Sequence, residues 1–100
     1  MRKIEEQMLN AVHAKKDWKS DNTAVYYVNA SESGNPHGAR SEIYLHGNHI
    51  ASFWYGPNDL EVNGRTLSHW PTNTTKSRLR ALGANVYTKK HVTYLNDKPV

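Results

Sequence analysis

The sequence predicts a single small α+β domain: an antiparallel sheet packed with an N-terminal helix and a short basic helix. Three observations carry that expectation. Glu42–His46 and His49–Tyr55 are rich in aromatic and branched residues and flank Gly47-Asn48, a two-residue turn signal, so residues 41–55 read as a hairpin. Ile4, Met8, Leu9 and Val12 fall on one face of a 3.6-residue period, so Arg2 to about Lys16 reads as an amphipathic helix. The chain has 100 residues, the size of one ordinary domain with one core. The apolar fraction is a modest 37%, so the three Trp, six Tyr and one Phe must supply much of the buried area.

Taken in order, the chain justifies each element. The N-terminal helix (1–16) lacks a strong N-cap, so its start is expected to fray, with Glu5, Glu6 and His13 off the apolar stripe. Residues 17–22 (DWKSDN) form a polar break, and Thr23–Val28 (TAVYYV) is a strand by composition. Residues 29–40 (NASESGNPHGAR) gather Gly, Pro, Asn and Ser and read as a flexible loop. In the hairpin, a Gly47-Asn48 turn sets Leu45 against Ile50 and Ile43 against Ser52, with Tyr44–Ala51 and Glu42–Phe53 on the other face. Gly56-Pro57-Asn58-Asp59 is a turn, and Leu60–Leu67 a further strand interrupted at Asn63-Gly64 by a bulge or a second tight turn, the short arms favouring the bulge. Thr72 or Asn73 caps a helix, Thr75–Leu82, that stops at Gly83. Ala84–Thr88 and His91–Leu95 close the fold as a hairpin around Lys89-Lys90. The expected order is α-β-β-β-β-α-β-β, with residues 41–95 forming the sheet and basic-helix core.

Charge is unevenly placed. Residues 1–64 hold 6 Lys and Arg against 8 Asp and Glu, whereas residues 65–100 hold 7 against Asp97 alone, a net of −2 followed by +6. A basic C-terminal third suits a phosphate backbone or an acidic protein face. The chain contains no cysteine, which excludes disulfides and thiolate metal sites. No apolar run is long enough for a signal peptide or a bilayer span, so a soluble intracellular protein is expected.

The first candidate site is Thr72–Arg80. Thr72, Asn73, Thr74 and Thr75 line a helix N-terminus, where backbone N–H groups and hydroxyls suit an anion. Lys76, Arg78 and Arg80 add charge along a phosphate backbone, Lys89 and Lys90 extend it, and Trp70 stands ready to stack on a base. Capping and core packing explain the same residues without a ligand. The second candidate is Phe53, Trp54 and Tyr55, with Tyr44 nearby, as a stacking platform on an open sheet; core packing is the commoner role of such aromatics. The third is histidine: His46 and His49 flank the tight turn, with His69 or His91 as a third ligand and His13 and His37 elsewhere. No zinc-ligand spacing accompanies them, so no metal or other cofactor is expected. Scattered Ser, Thr and His compose no catalytic signature, and the chain is expected to act by binding and not as an enzyme.

The run LHGNHIA, followed some twenty residues on by WPTNTTKSRLRALG, resembles a family of small proteins encoded by tailed bacteriophages, with the pattern LHGN-x-IA … W-x-T-x-TT-x-x-R-L-x-AL. The resemblance covers about Asn22 to Leu95, and TNTTKSRL is its most specific part. It implies a phage origin and expression in the host bacterial cytoplasm, and it carries over no catalytic residues. Two partners fit this reading: nucleic acid, held by its phosphate backbone, or a host bacterial protein with an acidic surface that the chain modulates or inhibits. A membrane partner is not expected. The sequence does not set the oligomeric state.

Overall fold

Alternation along residues 40–54 builds the frame of the molecule. In the computed structural model, which describes residues 2–34 and 38–100, Ser41, Ile43 and Leu45 turn inward while Arg40, Glu42 and Tyr44 turn outward. Met1 and residues 35–37, the latter within the expected loop and including His37, lie outside the described residues. The helices are α1 (Lys3–Ala14), α2 (Ala30–Ser33), α3 (Gly64–His69) and α4 (Asn73–Ala81). Strands β1 (Trp18–Ser20), β2 (Thr23–Val28), β3 (Arg40–Leu45), β4 (Asn48–Trp54) and β5 (Asp59–Val62) form a five-stranded antiparallel meander in that order. A second, three-stranded sheet holds β6 (Val86–Lys89), β7 (Val92–Leu95) and β8 (Lys98–Pro99). The α+β class and the single domain stand, and the element order is richer than α-β-β-β-β-α-β-β.

One core joins the parts. Met8 and Val12 of α1, Leu67 of α3 and Leu79 of α4 pack on Val25, Ile43, Leu45, Ile50 and Ala51 of the main sheet and on Val86 of β6. All helices contributing to it therefore cover one face of the main sheet. Burying each large aliphatic side chain there is worth about 1.5–3 kcal/mol.

Several sequence expectations are corrected. The helical stripe is rotated, because α1 buries Glu5, Met8, Ala11 and Val12 and leaves Ile4 and Leu9 half-buried. Its start is tied down by Glu5 itself, whose Oε1 accepts from the Arg2 N–H at 3.4 Å. The polar break contains a strand, β1, that pairs with β2. The loop is shorter than 29–40, since α2 occupies one end and Arg40 begins β3 at the other.

The hairpin turn sits one residue earlier than expected. Leu45 pairs with Asn48, and His46 and Gly47 form the turn with φ of 52° and 78°. Two left-handed residues match the twist of flanking strands, and glycine takes the second place at no steric cost. A bulge opposite Ile43 and Tyr44 then absorbs Ile50, so Ile43 pairs with Ala51 and both Ile50 and Ala51 turn to the core. The expected Leu45–Ile50 and Ile43–Ser52 pairings are not formed.

The strand drawn over Leu60–Leu67 ends at Val62. Asn63-Gly64 is neither bulge nor turn: the Asn63 side-chain oxygen accepts from the Thr66 N–H at 3.2 Å and caps α3. The closing hairpin turns at Lys90-His91, not Lys89-Lys90, and Asn96-Asp97 makes a second tight turn into β8.

Candidate nucleic-acid interface

Helix α4 forms where a cap, an apolar pair and a glycine stop coincide. Thr72 Oγ1 accepts from the Thr75 N–H at 3.1 Å and lies 2.9 Å from Thr75 Oγ1. The two threonine hydroxyls are thus committed to each other and to the cap. At the other end Gly83, with φ of 104°, closes the helix, and its N–H donates to the Arg80 carbonyl.

The helix divides its three cations. Arg78 is only 3% exposed and points inward, where its Nη1 donates to Glu5 Oε2 at 2.8 Å and its Nε to Thr23 Oγ1 at 3.1 Å. Ser77 Oγ donates to the same Glu5 oxygen at 2.5 Å. Burial pushes the Glu5 carboxyl up, but the hydrogen bonds from Ser77, Arg78 and the Arg2 N–H, with the Arg78 charge, outweigh it and hold the group below its ordinary value. Lys76 is buried too, and its Nζ donates to Thr88 Oγ1 at 2.5 Å, tying α4 to β6. Only Arg80 emerges exposed, with Nη1 3.3 Å from the Val86 carbonyl. The expected row Lys76–Arg78–Arg80 is therefore not one surface: Arg78 is a core ion pair joining α4 to α1.

The exposed charge lies elsewhere in the C-terminal third. Arg65, Arg80, Lys89, Lys90 and Lys98 are all exposed, against Asp97, which accepts from the Tyr87 hydroxyl at 3.0 Å. Lys90 and His91 form the β6–β7 turn with φ of 50° and 66°. Neither is the Gly, Asn or Asp that such a turn favours, and a left-handed residue with a Cβ costs about 1–2 kcal/mol. Trp70, which ends α3 ahead of Pro71, is 52% exposed and packs on His69 at 5.6 Å between ring centroids. A groove of about 280 Å³ is walled by Ser68 and Pro71 on one side and His91 and Val92 on the other, so the Trp70 connection and the lysine turn adjoin. Asn73 is exposed and Thr74 half-buried at the first turn of α4.

The aromatic run 53–55 is split by strand alternation. Phe53 and Tyr55 pack against each other at 5.1 Å on the core side. The Tyr55 hydroxyl bonds the Val12 carbonyl and Ser41 Oγ. Trp54 lies on the open face, cross-strand from Arg40, whose guanidinium sits 5.3 Å from its ring centroid. It shares that face with Tyr44, away from Trp70.

The described histidines do not converge. Among the described residues no three His, Asp or Glu side chains gather as a metal site requires. His49 is fully engaged, with Nε2 2.8 Å from Ser52 Oγ and Nδ1 3.2 Å from Asn63 Nδ2. This Ser–His–Asn array resembles a nucleophile relay but is wired in the opposite sense. Asn63 spends its oxygen on the α3 cap, so its amide N–H faces Nδ1, and His49 must carry its proton on Nε2 and donate toward Ser52. A serine that accepts from histidine is not activated by it.

Sequence reasoning missed Glu5, placed off the apolar stripe of α1. The signal was present in its i, i+3 position to Met8 on the buried face, but its partner lies 73 positions away. It also missed Tyr26, 43% exposed on the open face of β2.

The fold defines a small α+β protein with a buried ion-pair network, Glu5–Arg78 with Ser77 and Thr23, and with exposed cations at Arg65, Arg80, Lys89, Lys90 and Lys98 in its C-terminal third. The family model of the Kyanoviridae Gp96 protein matches residues 1–100, and the chain belongs to that bacteriophage family. No curated protein and no solved structure matches it. No helix among the described residues is long and apolar enough to cross a membrane.

Proposed function

We propose that this protein acts by binding, without catalysis, in the host bacterial cytoplasm, and that its ligand is nucleic acid held by the phosphate backbone. The observation that carries the reading is the lysine turn. Lys89, Lys90 and His91 are exposed, and Lys90 and His91 hold left-handed backbone where Asn-Gly would be relaxed. A two-residue hairpin needs left-handed backbone at both positions; that a lysine and a histidine fill them at an exposed tip, at a conformational cost that Asn-Gly would avoid, supports a binding role there. Arg80 and Lys98 add to the same third of the chain, and Trp70 offers an exposed ring for stacking, worth about 1–3 kcal/mol per base. Arg78 and Lys76 serve by holding α4 in place.

The test is a titration that follows tryptophan fluorescence, with oligonucleotides added at low and then physiological salt. Micromolar binding that weakens with salt, and that is lost in Lys89→Ala/Lys90→Ala with folding intact, is the expected outcome. Silence at low salt ends the proposal.

A second reading rests on Tyr87 and Tyr94, whose rings stack at 5.1 Å and 12° on the same sheet face as Lys89 and Val92. Paired aromatics beside a lysine suit an acidic patch on a host protein. Loss of capture of a host protein in Tyr94→Ala, with oligonucleotides inert, distinguishes it.

A further inference from the structure

The open face of the main sheet holds a second concavity, separate from the basic face. Its floor is Ala24, which pairs with Lys19 on β1 and with Tyr44 on β3, so a methyl group sits between two long side chains. The resulting slot, about 520 Å³, is bounded by Tyr26 along β2 and by Asp21 and His46 at the hairpin end. Tyr26 and Tyr44 meet edge to face at 5.5 Å and 71°, Tyr44 also packs on His49 at 5.3 Å, and Tyr26, 43% exposed, is the ring open to a further aromatic. Lys19 supplies a cation for a phosphate and Asp21 an acceptor for an exocyclic amine, the two polar ends of a nucleotide.

His46 belongs to the wall of this slot and also to a groove of about 210 Å³ that holds Trp70, Thr72 and Thr75 on the helical side. The two concavities therefore meet across the His46–Gly47 turn, where a Cβ added to Gly47 would meet nothing within 4 Å. We propose that the slot over Ala24 takes one unstacked base of a single-stranded nucleic acid whose backbone crosses that turn to Trp70 and the lysine face. This rests on the nucleic-acid reading and sharpens it: a duplex keeps its bases stacked and paired and cannot fill the slot, so the ligand is single-stranded.

The experiment compares a fluorescein-labelled single strand with its duplex, on the full chain and on Tyr26→Ala, Ala24→Leu and Lys89→Ala/Lys90→Ala. The single strand is expected to bind more tightly than the duplex. Tyr26→Ala removes that preference, weakening single-strand binding by about 5- to 150-fold, the range one stacked base represents, while duplex affinity stays the same. Ala24→Leu fills the slot and does likewise; because Ala24 is buried, the exposed Tyr26 provides the variant that leaves the core alone. Equal affinity for strand and duplex, or a Tyr26→Ala protein that binds the strand as well as wild type, overturns the inference. If Lys89→Ala/Lys90→Ala still abolishes binding in that case, the basic-face reading survives the slot. If that variant too is without effect, both fall.

Discussion

Arg78 and Arg80 stand two residues apart on one helix and do opposite work. Arg78 is 3% exposed and locked to Glu5, Thr23 and Asn22 from α1 and the start of the main sheet, whereas Arg80 is exposed beside β6. The same contrast separates the two sheets. The five-stranded sheet and its helices bury most of the core and consume charge within it; the three-stranded sheet displays Lys89 and Lys98 at strand ends and Lys90 on a left-handed turn. A net charge counted along the chain is thus not a surface charge, because burial and pairing remove some of it from what a ligand meets.

The largest expected effect comes from breaking the inner half of that contrast. Arg78→Ala leaves the Glu5 carboxylate buried without its partner, which costs about 3–5 kcal/mol, enough to lower the urea midpoint far below wild type or to prevent folding. Arg80→Ala should shift stability by less than about 0.5 kcal/mol in the same titration, as an exposed surface change does. Equal losses in the two variants would erase the distinction.

A second effect of the inner pair is acid sensitivity. The folded Glu5 is more acidic than an unfolded glutamate, so its contribution is fully present above the unfolded value, about 4.3, and is lost as pH falls through the lower folded value. Glu5→Gln should be less stable than wild type at pH 7, with the gap closing as the pH is lowered through about 4 in denaturant titrations. A gap that widens in acid contradicts the assignment.

The outer half gives a trade. Lys90→Asn/His91→Gly installs the residues a tight hairpin turn prefers, relieves left-handed backbone that costs about 1–2 kcal/mol per residue and should raise stability, while weakening oligonucleotide binding. A gain in stability with affinity unchanged would show the strained turn to be incidental. The smallest effect on binding is that of the cap: Thr72→Ala should cost about 1 kcal/mol by thermal melting and leave the salt dependence of binding alone.

Much of the frame was legible in the sequence. Thr23–Val28, the hairpin, the Thr72 cap and the Gly83 stop are written in local patterns and appear in the structure within a residue or two. What was not legible depended on distant partners or on turn energetics. Glu5 looked like surface because nothing near it in sequence announces Arg78. His91 looked like strand because the chain accepts left-handed backbone there without glycine. The bulge at Ile50 could not be read from the hairpin residues alone, since it is set by the need to bury both Ile50 and Ala51. The Phe53–Tyr55 run read as one aromatic group, and strand alternation sent Trp54 to the opposite face from its neighbours. Lys76 and Arg78, read from the sequence as outward cations, are buried because each finds its partner on another element.

The salt dependence of oligonucleotide affinity, measured for the wild type and for Lys89→Ala/Lys90→Ala at matched stability, decides whether the outward lysines hold nucleic acid. If these lysines hold phosphates, the slope of log K against log salt should become shallower by about 0.7 for each phosphate of a single strand that is no longer neutralised. An unchanged slope and affinity in the double variant would contradict the claim, and the outward lysines would then have no part in binding nucleic acid.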